Sequence, residues 1–149
     1  KEVGVLATAG TVASGSYLIE IEKFFPGSQV FQQACPLWVP LVENEEYDKP
    51  GADYFVKDCI DRLLEQSPHI DSILLACTHY PLLYDKIRKY TPPGIRILSQ
   101  GEIVADSLAD YLQRHSEIDK KLTRGRERTF YTTDSTEDFD RHAGIFYGE

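Results

Sequence analysis

The sequence predicts an α/β protein built on a parallel β-sheet with helices on both faces. Short apolar runs that suit buried strands alternate with longer stretches whose apolar residues recur at helical spacing. Hydroxyl, thiol or imidazole groups follow two of these runs directly, at the strand-to-helix turns where α/β proteins hold ligands. The 149 residues are enough for one domain and its hydrophobic core.

The first half of the chain is expected to contain two strands and two helices. The apolar run 3–7 predicts a buried strand, and residues 8–11 form the turn after it. A helix then extends to the stop signal Pro26-Gly27, with apolar residues at helical spacing: Tyr17, Leu18, Ile21 and Phe24. Residues 28–33 suit a second strand. The stretch 52–66 is an amphipathic helix, whose apolar face comprises Phe55, Val56, Cys59, Ile60, Leu63 and Leu64.

Between these elements lies an apolar segment, 34–43, that contains two prolines. We interpret it as a loop, because prolines this close exclude the interior of a regular strand or helix. A loop that carries Trp38 and ends in Glu43 suits the wall of a pocket, and it equally suits a cover for a sheet edge. The acidic stretch 44–51 is expected to be an exposed turn.

The second half continues the alternation of strands and helices. Strands are predicted at 70–76, 95–98 and 129–133. Helices are predicted at 81–90, at 99–115 and in a short stretch through Phe139, Ala143 and Phe146. The polar stretch 116–128 is expected to be loosely held. The pattern as a whole predicts a three-layer, flavodoxin-like arrangement.

The residues after the apolar run 70–76 are the strongest candidates for chemistry. Cys77, Thr78 and His79 stand where a buried strand passes into a helix, so helix-start amides are expected to favour a thiolate there. His79 exchanges protons near neutral pH. The alternative is that Cys77 is a small apolar residue closing the strand. Thr8 and Thr11, after the first strand, suit contact with an anion, although simple capping of the helix explains both threonines equally well.

Composition and charge exclude several classes of function. The net charge of −8 argues against a nucleic-acid partner, and the basic stretch 120–128 is interpreted as a solvated linker. No apolar run has the length of a membrane span, and no signal peptide opens the chain. Three scattered cysteines indicate a reducing, cytoplasmic setting without disulfides, and no spacing of His and Cys predicts a metal site. The opening at Lys1 suggests a start inside a larger protein.

Three motifs in order give the chain a specific resemblance. The segment Leu74–Leu83 resembles the second cysteine motif of bacterial glutamate racemases. Residues 8–17 are similar to the Thr-x-x-Thr-Val-x-Ser-x-x-Tyr element of that family, and residues 34–43 are similar to its acidic, proline-containing loop. A weaker match joins Phe130–Asp134, with Phe139 and Ala143, to the family's last strand and helix.

The resemblance implies a racemase that needs no cofactor and has two α/β domains with the active site between them. Each domain would supply one cysteine, on opposite sides of the substrate α-carbon. Cys77 would deprotonate L-glutamate with the help of His79, while Thr78, His79, Thr8 and Thr11 would bind substrate. Glu43 is a weaker accessory candidate. The product would be D-glutamate for peptidoglycan.

The family's first cysteine, in a Cys-Asn-Thr element, and its early Asp-Ser pair are absent here. The chain is therefore expected to be the second half of such an enzyme, inactive alone and lacking the first domain as its partner. Residues 1–98 would form the second domain, and residues 99–149 would return to complete the first. A homodimer is a further expectation. Two alternatives stay open: an aspartate racemase of the same family, and a non-catalytic α/β binding domain.

Overall fold

The centre of the fold is a sheet of four parallel strands. In a computed structural model that describes residues 1–125 and 128–147, the strands are β1 (Glu2–Ala7), β2 (Gln29–Ala34), β3 (Ser72–Ala76) and β4 (Arg96–Leu98). Their spatial order is β2-β1-β3-β4, and every neighbouring pair is parallel. This is the order of the first four strands of a flavodoxin-like sheet. The predicted fold class is confirmed.

Helices connect the strands on both faces of the sheet. The connections contain α1 (Ala9–Ser14), α2 (Ser16–Phe24), α3 (Trp38–Glu43), α4 (Pro50–Leu64), a 3₁₀ helix (Tyr80–Leu83) and α5 (Tyr84–Tyr90). The connection from β1 to β2 crosses the sheet in one direction, and the connections from β2 to β3 and from β3 to β4 cross it in the opposite direction. Because parallel crossovers are right-handed, α1 and α2 lie on one face, and α4 and α5 lie on the other.

Residues Lys1–Gln100 form a compact first unit. The core of this unit lies between the sheet and α4. Val56, Ile60 and Leu63 of α4 are fully buried, and Cys59 is buried beside them, as predicted. The helix packs so closely on β1 that a Cβ atom on Gly4 would come within 2.7 Å of Leu63 Cδ2. Phe55, predicted on the same apolar face, is instead exposed, because it lies at the margin of the stripe that contacts the sheet.

Three local predictions were wrong in detail. The segment 34–43 is not a loop throughout: its first residue ends β2, and α3 occupies its second half with Pro40 in the first turn, where no intrahelical N–H bond is lost. The single helix expected before Pro26 is two helices, because Gly15 adopts a φ of 65° between them. The helix expected at 81–90 begins as the 3₁₀ helix.

A second unit begins at Gly101. Its helices are α6 (Gln100–Arg114, which begins one residue earlier), α7 (Ser116–Asp119) and α8 (Thr136–Tyr147). The strand predicted at 129–133 is wrong: this segment has no strand partner among the described residues of the unit. The predicted linker 120–128 lies partly outside the described residues, at 126–127. No helix in the described ranges has the length and apolarity to cross a membrane.

An ion-pair cluster joins α4 to α5. The Asp53 carboxylate accepts hydrogen bonds from Lys86 Nζ at 2.7 Å, Lys89 Nζ at 2.8 Å and Tyr90 Oη at 2.7 Å. These donors, Lys86 first, hold the pKa of Asp53 well below its ordinary value. Tyr90 ends α5, so the cluster fixes the end of one helix against the start of the other.

We predict that Asp53→Asn lowers the melting temperature at neutral pH and that the loss shrinks in acid. The folded pKa of Asp53 is lowered, so its stabilising effect is complete above the ordinary value of 3.8 and disappears as pH falls further. Thermal melts from pH 7 to pH 2 measure this. The matched control is Asp61→Asn, which breaks only an exposed pair with Lys57 and should lose less. A loss that grows toward low pH would contradict the assignment.

Candidate active site

Three parallel strands end together at one edge of the sheet. Ala7 of β1 pairs with Ala34 of β2 and with Ala76 of β3. The next residues in the chain are Thr8, Cys35 and Cys77, so all three begin the turns at the carboxyl edge. Thr8 and Cys77 flank the point between β1 and β3 where the connections change direction, which is where open α/β sheets bind ligands. The predicted common edge for Thr8, Thr11 and Cys77 is confirmed.

Cys77 begins a chain of three titratable side chains. Its Sγ lies 3.8 Å from His79 Nδ1, within hydrogen-bonding range for sulfur. His79 Nε2 lies 3.1 Å from Glu43 Oε1. The carboxylate orients the imidazole, and the imidazole can take a proton from the thiol or return one to it. All three side chains are at least partly accessible, so a ligand can reach the thiol.

The predicted threonines differ in their surroundings. Thr8 caps α1: its Oγ1 accepts a hydrogen bond from Thr11 N at 3.4 Å and lies 3.0 Å from Thr11 Oγ1. Capping therefore accounts for Thr8, and substrate contact by either threonine stays a prediction. Thr78 is exposed beside Cys77, and its role in binding also stays a prediction.

Two of the amides expected to favour a thiolate bind the chain's own carbonyl groups instead. Tyr80 N donates to Cys77 O at 3.2 Å, and Leu82 N donates to His79 O at 3.1 Å. The tight 3₁₀ geometry after Cys77 produces these bonds. The side-chain contact that the structure gives the Cys77 thiol is the one with the His79 imidazole, at 3.8 Å.

Sequence reasoning missed the layer that supports this site. Tyr80 is fully buried and donates from Oη to the Cys35 carbonyl at 3.3 Å. Burial raises the pKa of Tyr80, so the hydroxyl stays protonated and remains a donor. The Trp38 ring packs edge-on against Tyr80 at 4.8 Å, and its Nε1 donates to Phe55 O at 3.2 Å. The signal available in the sequence was that Cys35 comes two residues after the end of a predicted strand, close to the position that Thr8 and Cys77 take after theirs.

In the described part of the chain, no cluster of three His, Cys, Asp or Glu side chains could hold a metal ion. The chemistry that the geometry supports is acid–base chemistry by a thiol and an imidazole at a sheet edge.

Comparison with known proteins identifies the family. No protein-family model matches the chain. Glutamate racemase 2 of Caldanaerobacter subterraneus is 35% identical over 149 residues, which is the whole chain and 55% of that relative. The crystal structure of a glutamate racemase isoform from Bacillus anthracis matches 99% of the chain and 54% of its own, with a TM-score of 0.86 and 31% identity. The chain belongs to the glutamate racemase family.

The match is to part of the family's length. The chain spans about half of the curated relatives it matches, at 55% and 54% for the first two. The glutamate racemase of Francisella tularensis, solved in complex with D-glutamate, shares the fold with a TM-score of 0.86, at 24% identity over 99% of the chain. The identity of 35% to the Caldanaerobacter relative confirms the resemblance to glutamate racemases at the level of the family.

We predict that Cys77 is the first of the three free cysteines to be alkylated. Cys35 and Cys59 are only 1% and 7% exposed, whereas Cys77 is half-buried and lies beside an imidazole. A short iodoacetamide pulse at neutral pH, followed by peptide mass spectrometry, should find the label on Cys77 with the other two thiols intact. The urea-denatured chain is the control, in which all three should label. Earlier labelling of Cys59 would refute the placement.

Proposed function

We propose that this chain supplies one of the two proton-transfer faces of a glutamate racemase. Cys77 is the base that removes the α-proton of L-glutamate, and it returns a proton in the reverse direction. The observation that carries the proposal is the contact chain from Cys77 Sγ through His79 to Glu43, located at the switch point of the sheet. Acid–base chemistry at carbon requires a group of this kind within reach of the transferred proton.

The stereochemistry of the reaction explains why half of the family's length holds half of the site. L- and D-glutamate carry the α-hydrogen on opposite faces of the carbon, so a single fixed base cannot serve both. A second thiol must therefore approach from the other side, and neither buried cysteine of this chain is available for that role. We assign the second thiol to the missing first domain. In this proposal residues 1–98 are the second domain, and residues 99–149 complete the first.

His79 and Glu43 support the thiol electrostatically. When Cys77 gives up its proton, the imidazole 3.8 Å away either takes that proton or hydrogen-bonds to the sulfur. Any positive charge on the imidazole then faces the Glu43 carboxylate at 3.1 Å. His79 is thus the proton-handling partner of Cys77, and Glu43 is the accessory residue that orients it. No cofactor is needed for this step, because the thiolate itself is the base.

The hydroxyls of Thr8, Thr11 and Thr78 are assigned to substrate binding. Each follows β1 or β3 at the carboxyl edge, where hydroxyl groups can donate to a substrate carboxylate. D-glutamate, which the Francisella tularensis enzyme holds in its crystal structure, is the ligand class we assign. The product would enter peptidoglycan synthesis in the cytoplasm.

We predict that the isolated chain does not racemise glutamate. Groups that act as a unit fail together, and loss of one partner is expected to cost several orders of magnitude in rate. Incubation with L-glutamate in D₂O should give neither D-glutamate on chiral chromatography nor rapid loss of the α-proton signal in NMR spectra. The full-length Caldanaerobacter enzyme is the positive control. Turnover at a normal enzymatic rate would mean that a second base lies within the chain.

A chimera gives the positive test. This chain should restore racemisation when it replaces the 55% of the Caldanaerobacter enzyme to which it aligns. Cys77→Ser in the chimera should then reduce kcat by about a thousandfold or more, because a hydroxyl is a far weaker base than a thiolate. Cys59→Ala is the matched thiol control and should retain turnover. L-aspartate as the better substrate would transfer the assignment to the aspartate enzymes, and a folded but inactive chimera would favour a binding role.

A further inference from the structure

We propose that Tyr80 is a positioning residue for proton transfer by Cys77, and that its hydroxyl acts by holding Glu43 against His79. The inference rests on the proposed function and deepens it. Tyr80 is fully buried, so it acts through its neighbours and not by contact with substrate. Its hydroxyl donates to the Cys35 carbonyl at 3.3 Å, across 45 positions of the chain.

The Cys35 carbonyl is the point where the two halves of the site meet. It accepts a second hydrogen bond, from Trp38 N at 3.2 Å. A carbonyl oxygen has two lone pairs, so both bonds form together. Cys35 N donates in turn to Ala7 O at 2.9 Å, which holds this residue to the end of β1. The carbonyl is therefore a fixed acceptor at the edge of the sheet.

One path from this carbonyl leads to Glu43. Trp38 begins α3 and Glu43 ends it, and the backbone bonds of the short helix fix the spacing between them. The helix also packs against the 3₁₀ helix that begins at Tyr80. A shift of Trp38 relative to Tyr80 therefore moves the carboxylate relative to the imidazole.

The other path leads to His79, which directly precedes Tyr80. Tyr80 N donates to Cys77 O at 3.2 Å, and this bond closes the turn that contains His79. The two paths meet again where His79 Nε2 lies 3.1 Å from Glu43 Oε1. The Tyr80 hydroxyl thus closes the base of a ring of contacts whose top is the Glu43–His79 pair.

The hydroxyl and the ring of Tyr80 have separable tasks. The ring packs edge-on against Trp38 at 4.8 Å and fills the buried layer, whereas only the hydroxyl reaches the Cys35 carbonyl. Tyr80→Phe keeps the ring and removes the bond. The substitution therefore tests the position of Glu43 and His79 with little change in packing volume.

The first experiment measures the rate at which iodoacetamide labels Cys77 in the full chain. Tyr80→Phe should slow this labelling by about fivefold, because an imidazole no longer held by Glu43 takes the thiol proton less readily. Glu43→Gln should slow it as well. The double variant should be no slower than the slower single variant, since both substitutions remove the same contact.

Thr91→Val is the matched control for a purely structural effect. The Thr91 hydroxyl is buried and donates to the Ile87 carbonyl at 2.7 Å, so this variant also deletes one buried hydroxyl-to-carbonyl bond. It should lower the melting temperature and leave the labelling rate of Cys77 unchanged, alone and together with Glu43→Gln. A merely structural role for Tyr80 would give the same result as this control.

The second experiment uses the chimera with the Caldanaerobacter enzyme. Tyr80→Phe should lower kcat and leave KM for glutamate unchanged, because the contact that it weakens serves proton transfer. An inactive chimera would refute the racemase role, whereas the labelling rates of the isolated chain would still decide whether Tyr80 positions the pair.

Unchanged labelling of Cys77 in Tyr80→Phe would overturn the proposal, and so would effects of Tyr80→Phe and Glu43→Gln that multiply. Circular dichroism checks that the variant folds. If it does not, Trp38→Phe replaces it, because loss of the indole bond to the Phe55 carbonyl, 3.2 Å long, loosens the same end of α3. That variant should show the same slowing and the same lack of additivity with Glu43→Gln, and normal labelling in it would equally overturn the proposal.

Discussion

The register that aligns Ala7, Ala34 and Ala76 is the constraint on which the rest of the structure depends. This register ends β1, β2 and β3 at the same height in the sheet. The residues that follow these strands, Thr8, Cys35 and Cys77, therefore lie at the same edge. A slip of one residue would turn every side chain of a strand to the other face of the sheet. The apolar interiors of β1 and β3, which must remain buried, thereby fix the level at which Thr8 and Cys77 emerge.

Packing behind this edge then sets the electrostatics in front of it. The buried Trp38 begins α3 and is held by the Phe55 carbonyl and the Tyr80 ring. Glu43 ends the same short helix, so the anchor at one end of α3 places a carboxylate at the other. His79 receives that carboxylate at 3.1 Å. The packing of Trp38 at the start of α3 thus determines that the His79 imidazole lies beside the Glu43 carboxylate at the end of the helix.

The sequence predicted the elements better than their internal breaks. Buried strands such as β1 and β3 are marked by apolar runs, and the stripe on α4 identifies its core face. Gly15 divides a helical pattern by a backbone conformation that apolar spacing does not encode. Two prolines this close predict a loop, although the first turn of a helix tolerates a proline such as Pro40. The apolar and β-branched run 129–133 predicts a strand, whereas a strand exists only with a partner to bond, and the described residues of that unit supply none.

For the site, the sequence predicted which groups gather and missed how they connect. The strand ends placed Cys77 and Thr8 together, because parallel topology dictates that outcome. The contact between Glu43 and His79 depends on the angle at which α3 leaves the sheet, and no local pattern carries that angle. The position of Cys77 before a helix predicts free amides that favour a thiolate. The 3₁₀ geometry of this turn instead uses two of those amides for bonds within the turn.

Burial is distributed unevenly between the two units of the chain. Every buried residue in the described ranges belongs to the first unit, and none lies beyond Thr91. By contrast, α6 exposes an apolar stripe at helical spacing, formed by Ile103, Val104 and Leu108. Stripes of this kind are stable when another element covers them. In the proposal that residues 99–149 complete a first domain, that domain would supply the cover for this stripe, just as it would supply the second thiol.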